Sequence, residues 1–79
     1  MKIIKIYQIT EEEMRRTEYR PVDRQVEELE VEDGWTYQDV IENQADYSCV
    51  LEHECEDLYI WRVEDFDGNV VEYIAEMKY

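Results

Sequence analysis

Residues 57–77, "DLYIWRVEDFDGNVVEYIAEM", carry the clearest fold signal of the chain. Two runs of β-branched and aromatic residues flank "FDG" at 66–68, a pattern typical of a β-hairpin. A loop of two residues would place Trp61 on the same face as Glu72. A loop of three residues, with its glycine left-handed, aligns the apolar faces of the two strands and sets Arg62 opposite Glu72. We expect this second register, whose shared apolar face holds Tyr59, Trp61, Val63, Val71, Tyr73, Ala75 and Met77.

Three further segments have the composition of strands. Residues 2–9, "KIIKIYQI", are mostly β-branched or aromatic, and residues 24–31, "RQVEELEV", end with apolar residues alternating with glutamates. Residues 47–54, "YSCVLEHE", place Tyr47, Cys49 and Leu51 on one face. Because alternation with a period of two indicates a strand with one buried face, we expect all three to pair in an antiparallel sheet.

Two segments have helical signals of different strength. "TEEEMRRTEYRP" (10–21) opens with Thr10 and Glu13 at capping-box spacing, which favours a short helix ending before Pro21. An irregular loop is the alternative over residues 10–22, because no apolar stripe follows the cap.

The stronger helix is predicted over residues 36–46, where Thr36 is the N-cap and Asp39 lies three residues later. Its inward face holds Tyr37, Val40, Ile41, Gln44 and Ala45, and its outward face holds Asp39, Glu42, Asn43 and Asp46. The element order predicts one α+β domain over residues 1–79. We expect an antiparallel sheet of about four strands with this helix packed on one face.

The charge is strongly acidic and unevenly distributed. The 79 residues have a net charge of −14. Residues 1–24 hold six basic and five acidic residues, whereas residues 25–79 hold two basic and seventeen acidic residues, a net of −15. This asymmetry indicates an electrostatic role toward a positively charged partner. There is no long apolar run and no cleavage site for a signal peptide, so a soluble cytoplasmic protein is expected.

"CVLEHEC" (49–55) brings together the residues best suited to chemistry. Cys49, His53 and Cys55 are three potential zinc ligands, but their spacing matches no zinc-finger pair and the chain has no further Cys or His. A disulfide between the two cysteines requires the segment to double back, so we favour Cys49 in the core and Cys55 partly exposed. No nucleophile context accompanies His53. We therefore expect no enzyme activity, no cofactor and no metal.

The acidic surface is the remaining functional feature. If the seventeen acids cover half of the surface, each occupies about 150 Å², against about 110 Å² for each charge on B-DNA. A basic cleft that normally holds DNA can therefore accept such a surface. The residues expected to contact the partner are the acids of three segments, namely Glu28, Glu30, Glu32, Asp33, Asp39, Glu42, Asp46, Glu52, Glu54, Glu56 and Asp57.

This character resembles the small acidic phage-encoded inhibitors of bacterial defence, the anti-CRISPR and anti-restriction proteins that mimic DNA. "EELEVED" (27–33), the helix acids and "EHECED" (52–57) carry the resemblance, which is one of general character rather than of a motif. It implies a monomer or homodimer in the cytoplasm of a bacterial host. Such a protein would occupy the target-DNA or PAM-reading site of a Cas or restriction complex. Two alternatives stay open: an immunity or antitoxin protein that plugs a basic nuclease, and a structural adaptor or dimerisation module.

Overall fold

The computed structural model describes residues 1–19, 25–44 and 46–78, and in them a five-stranded antiparallel sheet with two short helices. The strand order is β2-β1-β5-β4-β3, so β2 and β3 form the two edges. The elements are β1 (Lys2–Ile9), α1 (Glu11–Arg16), β2 (Gln25–Val31), α2 (Tyr37–Glu42), β3 (Ser48–Glu54), β4 (Leu58–Glu64) and β5 (Val70–Met77). The α+β class is confirmed. The sheet has five strands rather than about four, and a second helix joins the expected one.

The second helix is present because the sheet is apolar on both faces. On the face covered by α2, the α2 face, the core consists of Ile4, Ile6, Val31, Tyr37, Ile41, Cys49, Trp61, Val63 and Ile74. On the opposite face, the α1 face, it consists of Tyr7, Ile9, Leu58, Ile60 and Ala75, against which Met14 of α1 packs. Since β1 contributes to both clusters, it needs cover on both sides.

Helix α1 begins at the predicted capping box. The Glu13 backbone N–H donates to the Thr10 hydroxyl at 3.2 Å, and the Glu13 carboxylate accepts from the Thr10 N–H at 3.3 Å. The helix ends at Arg16, because Thr17 adopts a left-handed conformation with φ of 52°. The helical alternative is therefore confirmed, and the helix ends before Pro21 as expected.

Helix α2 is shorter than the predicted 36–46. Its Tyr37 and Ile41 are buried as expected, and the Asp39 carboxylate accepts from the Thr36 N–H at 2.7 Å. The regular helix stops at Glu42, and Gln44, expected on the inward face, is exposed. Its backbone N–H donates to the Ile41 carbonyl at 3.0 Å, an i→i+3 bond of the kind that closes helix ends. Ala45, predicted on the inward face, lies outside the described residues.

The tip of the β4–β5 hairpin has the expected three-residue loop. The Asp65 N–H donates to the Asn69 carbonyl at 3.0 Å across residues 66–68. Gly68 has a φ of +81°, the left-handed conformation that such a loop needs at its last position.

Below this tip the expected register is wrong, because Val71 is an extra residue in β5 that moves the rest of the strand by one position. Trp61 therefore lies opposite Ile74, and Arg62 lies opposite Tyr73 instead of Glu72. The expected register assumes that the two hairpin strands share a single apolar face. This assumption is wrong because each face of the sheet has its own apolar core.

The molecule is a flat slab with principal extents of 33 × 32 × 19 Å. The two broad faces carry the helices, and the narrow sides expose the edge strands β2 and β3. Neither helix within the described ranges is long and apolar enough to cross a lipid bilayer.

Candidate functional site

Edge strand β2 carries a regular row of exposed carboxylates. Glu28 and Glu30 lie on the α1 face, opposite Lys5 and Ile3 of β1 in the register. Glu32 follows directly after the strand ends, and all three glutamates are exposed. Side chains on one face of a strand recur every two residues, about 6.7 Å apart. We call Glu28, Glu30 and Glu32 the β2 row.

The charges of the β2 row are not neutralised within the described part of the chain. The Gln25 side-chain amide donates to Glu28 at 3.0 Å, which holds that carboxylate without cancelling its charge. Lys5 is opposite Glu28, yet no ion pair within 4 Å joins any member of the row to a described basic residue. Carboxylates in this state are available to a cationic partner.

Asp33, the next acid after the row, lies in the turn between β2 and α2. It is exposed, and one of its carboxylate oxygens lies 3.5 Å from the Met1 amino group. This pair is solvated and therefore weak, because exposed ion pairs contribute at most about 1 kcal/mol. The weak pair with Met1 therefore leaves much of the negative charge of Asp33 accessible beside the β2 row.

The opposite edge contains the acids of "EHECED", and two of them are already paired. Glu52 forms an ion pair with Arg62. Glu54 forms a second ion pair, in which its Oε1 atom lies 3.6 Å from the Lys78 Nζ atom. Glu56 and Asp57 occupy the exposed turn between β3 and β4. Only this turn leaves acids without a basic partner among the described residues of that edge.

The acids of α2 form a third group with mixed roles. Asp39 is half-buried, and its carboxylate accepts hydrogen bonds from the Thr36 N–H and hydroxyl at 2.7 and 3.2 Å. Asp39 therefore stabilises the N-terminus of α2 as part of its capping box. Glu42 and Asp46 are exposed near the end of α2 and after it.

The predicted contact residues thus do not form one continuous wall. Glu28, Glu30, Glu32 and Asp33 lie together at the β2 edge, whereas Glu52, Glu54, Glu56 and Asp57 lie at or beside the β3 edge. Asp39, Glu42 and Asp46 belong to the α2 face and the segment after it. Four strand spacings separate the two edges, about 19 Å.

Two acids on the α2 face were not among the predicted contacts. Glu27 and Glu72 lie near the Tyr37 ring, whose hydroxyl pKa is raised to about 12 by burial, with smaller contributions from these two carboxylates. Glu27 is recognisable as an acid of "EELEVED". The hairpin register expected from the sequence places Glu72 on the wrong face, because it sets Glu72 opposite Arg62 instead of Val63.

A third acid missed by the sequence patterns is buried. Glu76 is 2 % exposed and lies between α2 and the sheet. One of its oxygens accepts from the Tyr37 backbone N–H at 2.8 Å and from the Trp61 indole N–H at 2.9 Å. Burial raises the pKa of Glu76, while the two hydrogen bonds oppose that rise. Its role is structural, since it is closed off from a partner.

Cys49 and Cys55 have the burial that the sequence predicts. Cys49 is 2 % exposed in the α2-face core, Cys55 is half-buried, and both are free thiols. Burial raises the pKa of the Cys49 thiol to about 12, with additional effects of Glu42 and Glu76. Within residues 1–19, 25–44 and 46–78, no group of three or more His, Cys, Asp or Glu side chains is placed to hold a metal ion.

Comparison with protein-family models, with curated proteins and with solved structures found no match. The surface of this chain is therefore the basis for the functional proposal.

Proposed function

We propose that this protein inhibits a bacterial defence complex by presenting its acidic surface in place of DNA. The β2 row occupies the basic site where a Cas effector or restriction complex binds target DNA or reads its PAM. The protein acts in the bacterial cytoplasm as a binding protein without catalytic activity. Its affinity derives from the charge interactions that the nucleic acid normally supplies.

The spacing of the β2 row is the observation that carries this proposal. Glu28 and Glu30 lie two residues apart on β2, about 6.7 Å along an ideal strand, and Glu32 follows directly after the strand ends. Successive phosphates along one strand of B-DNA are about 7 Å apart, given a rise of about 3.4 Å, about ten base pairs in each turn and a radius of about 10 Å. Basic side chains spaced for phosphates therefore meet carboxylates at similar intervals.

The distribution of basic residues also favours an external cationic partner. Residues 25–78 contain only two basic side chains, Arg62 and Lys78. Both are paired, Arg62 with Glu52 and Glu64 and Lys78 with Glu54. The remaining exposed carboxylates of this region require counterions or a basic partner. Release of such counterions on binding favours association with a Lys- and Arg-rich cleft.

A competition assay tests the proposal directly. A panel of purified Cas effectors and restriction complexes is incubated with fluorescent target duplex while this protein is titrated. We expect release of the duplex from at least one complex, with an affinity that falls steeply between about 0.1 and 0.5 M salt. No displacement from any complex would contradict the proposal.

The same assay separates the alternatives. Inhibition of a free nuclease toxin, with no effect on the defence complexes, would support the immunity or antitoxin role. Association that survives about 0.5 M salt would indicate apolar burial and hence an adaptor, because screening weakens exposed charge pairs at that ionic strength.

A further inference from the structure

A small groove lined by aromatic and acidic residues lies where β3 begins and β4 ends. It lies between the segment that enters β3 and the tip of the β4–β5 hairpin, and its volume is about 210 Å³. Its lining consists of Asp46, Tyr47, Ser48, Asp65 and Phe66. Pockets for drug-sized molecules usually measure about 300–1,000 Å³, so this groove fits the end of one side chain.

The hairpin loop presents Phe66 to solvent in a defined position. Phe66 is 82 % exposed and belongs to neither core cluster. One Asp65 carboxylate oxygen accepts from the Asp67 and Asn69 backbone N–H groups, both at 2.9 Å. These bonds fix the loop backbone before any partner arrives, so little backbone conformational entropy is lost on binding.

The residues that line the groove favour a cation as its ligand. Tyr47 is 42 % exposed and supplies a second aromatic ring, while Asp46 is exposed and has no ion pair with any described basic residue. Aromatic faces attract cations, and a carboxylate beside them adds charge pairing. Arginine suits this combination better than lysine, because its planar guanidinium stacks on a ring while it donates to a carboxylate.

We propose that this groove binds the guanidinium of one arginine side chain from a positively charged partner protein. A second copy of this chain is disfavoured as the occupant, because its net charge of −14 repels an identical molecule. The inference goes beyond the proposed function, since the groove recognises arginine whether or not the partner binds nucleic acid.

Phe66 can be labelled selectively to report binding in the groove, because it is the single phenylalanine of the chain. Biosynthetic incorporation of 4-fluorophenylalanine places one fluorine in the groove, and its NMR resonance reports local binding. The protein is titrated with the blocked peptide acetyl-Gly-Arg-Gly-amide and with the same peptide carrying neutral citrulline. We expect a saturable shift with the arginine peptide and about fivefold or weaker affinity for the citrulline peptide.

Matched variants separate the groove from the general negative field. Asp46→Asn and Asp57→Asn each remove one exposed carboxylate, at the groove and at the opposite end of the sheet respectively. We expect Asp46→Asn to weaken arginine binding about twofold to fivefold and Asp57→Asn to leave it unchanged. Tyr47→Leu, which removes the second ring, is expected to weaken it by a similar factor.

Three results would overturn the proposal. The first is equal shifts with the arginine and citrulline peptides. The second is equal effects of the Asp46 and Asp57 variants. The third is a resonance that moves with protein concentration in the absence of peptide, together with a dimer mass in sedimentation, because the occupant would then be a second copy. Each result is independent of whether any defence complex is inhibited.

Discussion

The indole N–H of Trp61 donates a hydrogen bond of 2.9 Å to the Glu76 carboxylate inside the α2-face core. The same oxygen accepts from the backbone N–H of Tyr37, the first residue of α2, at 2.8 Å. A carboxylate at this position interacts favourably with the helix N-terminus. Glu76 therefore joins α2 to the sheet through two hydrogen bonds to a carboxyl side chain that is 2 % exposed.

Replacing Glu76 with Gln should change the pH dependence of stability. Burial raises the pKa of Glu76 in the native state, so the folded chain holds this proton to a higher pH than the unfolded chain does. The contribution of Glu76 to the free energy of unfolding is therefore full below about pH 4.3 and declines as pH rises through the raised pKa.

We accordingly expect Glu76→Gln to lose less stability than the native chain as pH rises from about 4.3 to 7. Urea titrations at several pH values measure this difference. Glu72→Gln, which removes an exposed carboxylate from the same strand, is the control. Parallel pH profiles for the native chain and Glu76→Gln would contradict the assignment.

Removing the indole donor should destabilise the fold. Trp61→Phe retains an aromatic ring but leaves Glu76 with one fewer hydrogen bond in a buried site, which costs about 1–3 kcal/mol. Circular dichroism during urea unfolding measures the loss. Trp35→Phe, at a half-buried tryptophan beside the same core, should cost less. An equal cost for the two variants would show that the Trp61 hydrogen bond contributes little.

The two thiols should react with a disulfide reagent at very different rates. Cys49 is buried and its pKa is raised to about 12, so it lacks both access and thiolate at about pH 8. Cys55 is half-buried and should react first. We expect one fast thiol in each native chain and a second only after unfolding. Cys55→Ser should abolish the fast phase, and a fast phase that persists would contradict the burial of Cys49.

Replacing Gly68 at the hairpin tip should reduce stability through backbone strain. Gly68 has a φ of +81°, and a Cβ built there meets no atom within 4 Å. The expected cost of Gly68→Ala is therefore backbone strain alone, about 1–2 kcal/mol. Thermal unfolding measures it, and Gly68→Asn should cost less because asparagine adopts this conformation more readily. Identical costs for the two variants would argue against a left-handed position 68.

Local signals in the sequence predicted local structure well. The capping box of Thr10 and Glu13 marked the start of α1, and "FDG" marked the three-residue tip. Both succeed because neighbouring residues determine them. The hairpin register failed because the extra residue Val71 depends on how each apolar face is covered, which only the complete sheet decides.

The candidate site was predictable in part for the same reason. Alternation in "EELEVED" identified Glu28 and Glu30 as outward acids on one strand face. The strand order was not available from local patterns, so acids on β2 and β3 were expected together although these strands form opposite edges. Glu76 escaped notice because a glutamate in an acidic sequence indicates surface, and its burial depends on Tyr37 and Trp61 arriving from distant segments.

The most direct measurement concerns the β2 row and the displacement of DNA. Glu28, Glu30 and Glu32 are changed together to Lys, and Glu11, Glu12 and Glu18, three exposed acids outside the row, are changed together to Lys as a control with the same change in charge. Circular dichroism verifies that both variants fold, and the inhibition constant against a susceptible complex is then compared. The β2-row variant should lose about 100-fold or more in inhibition, while the control stays within about threefold of the native chain. Equal losses in the two variants, or full inhibition by the β2-row variant, would contradict DNA mimicry by this edge.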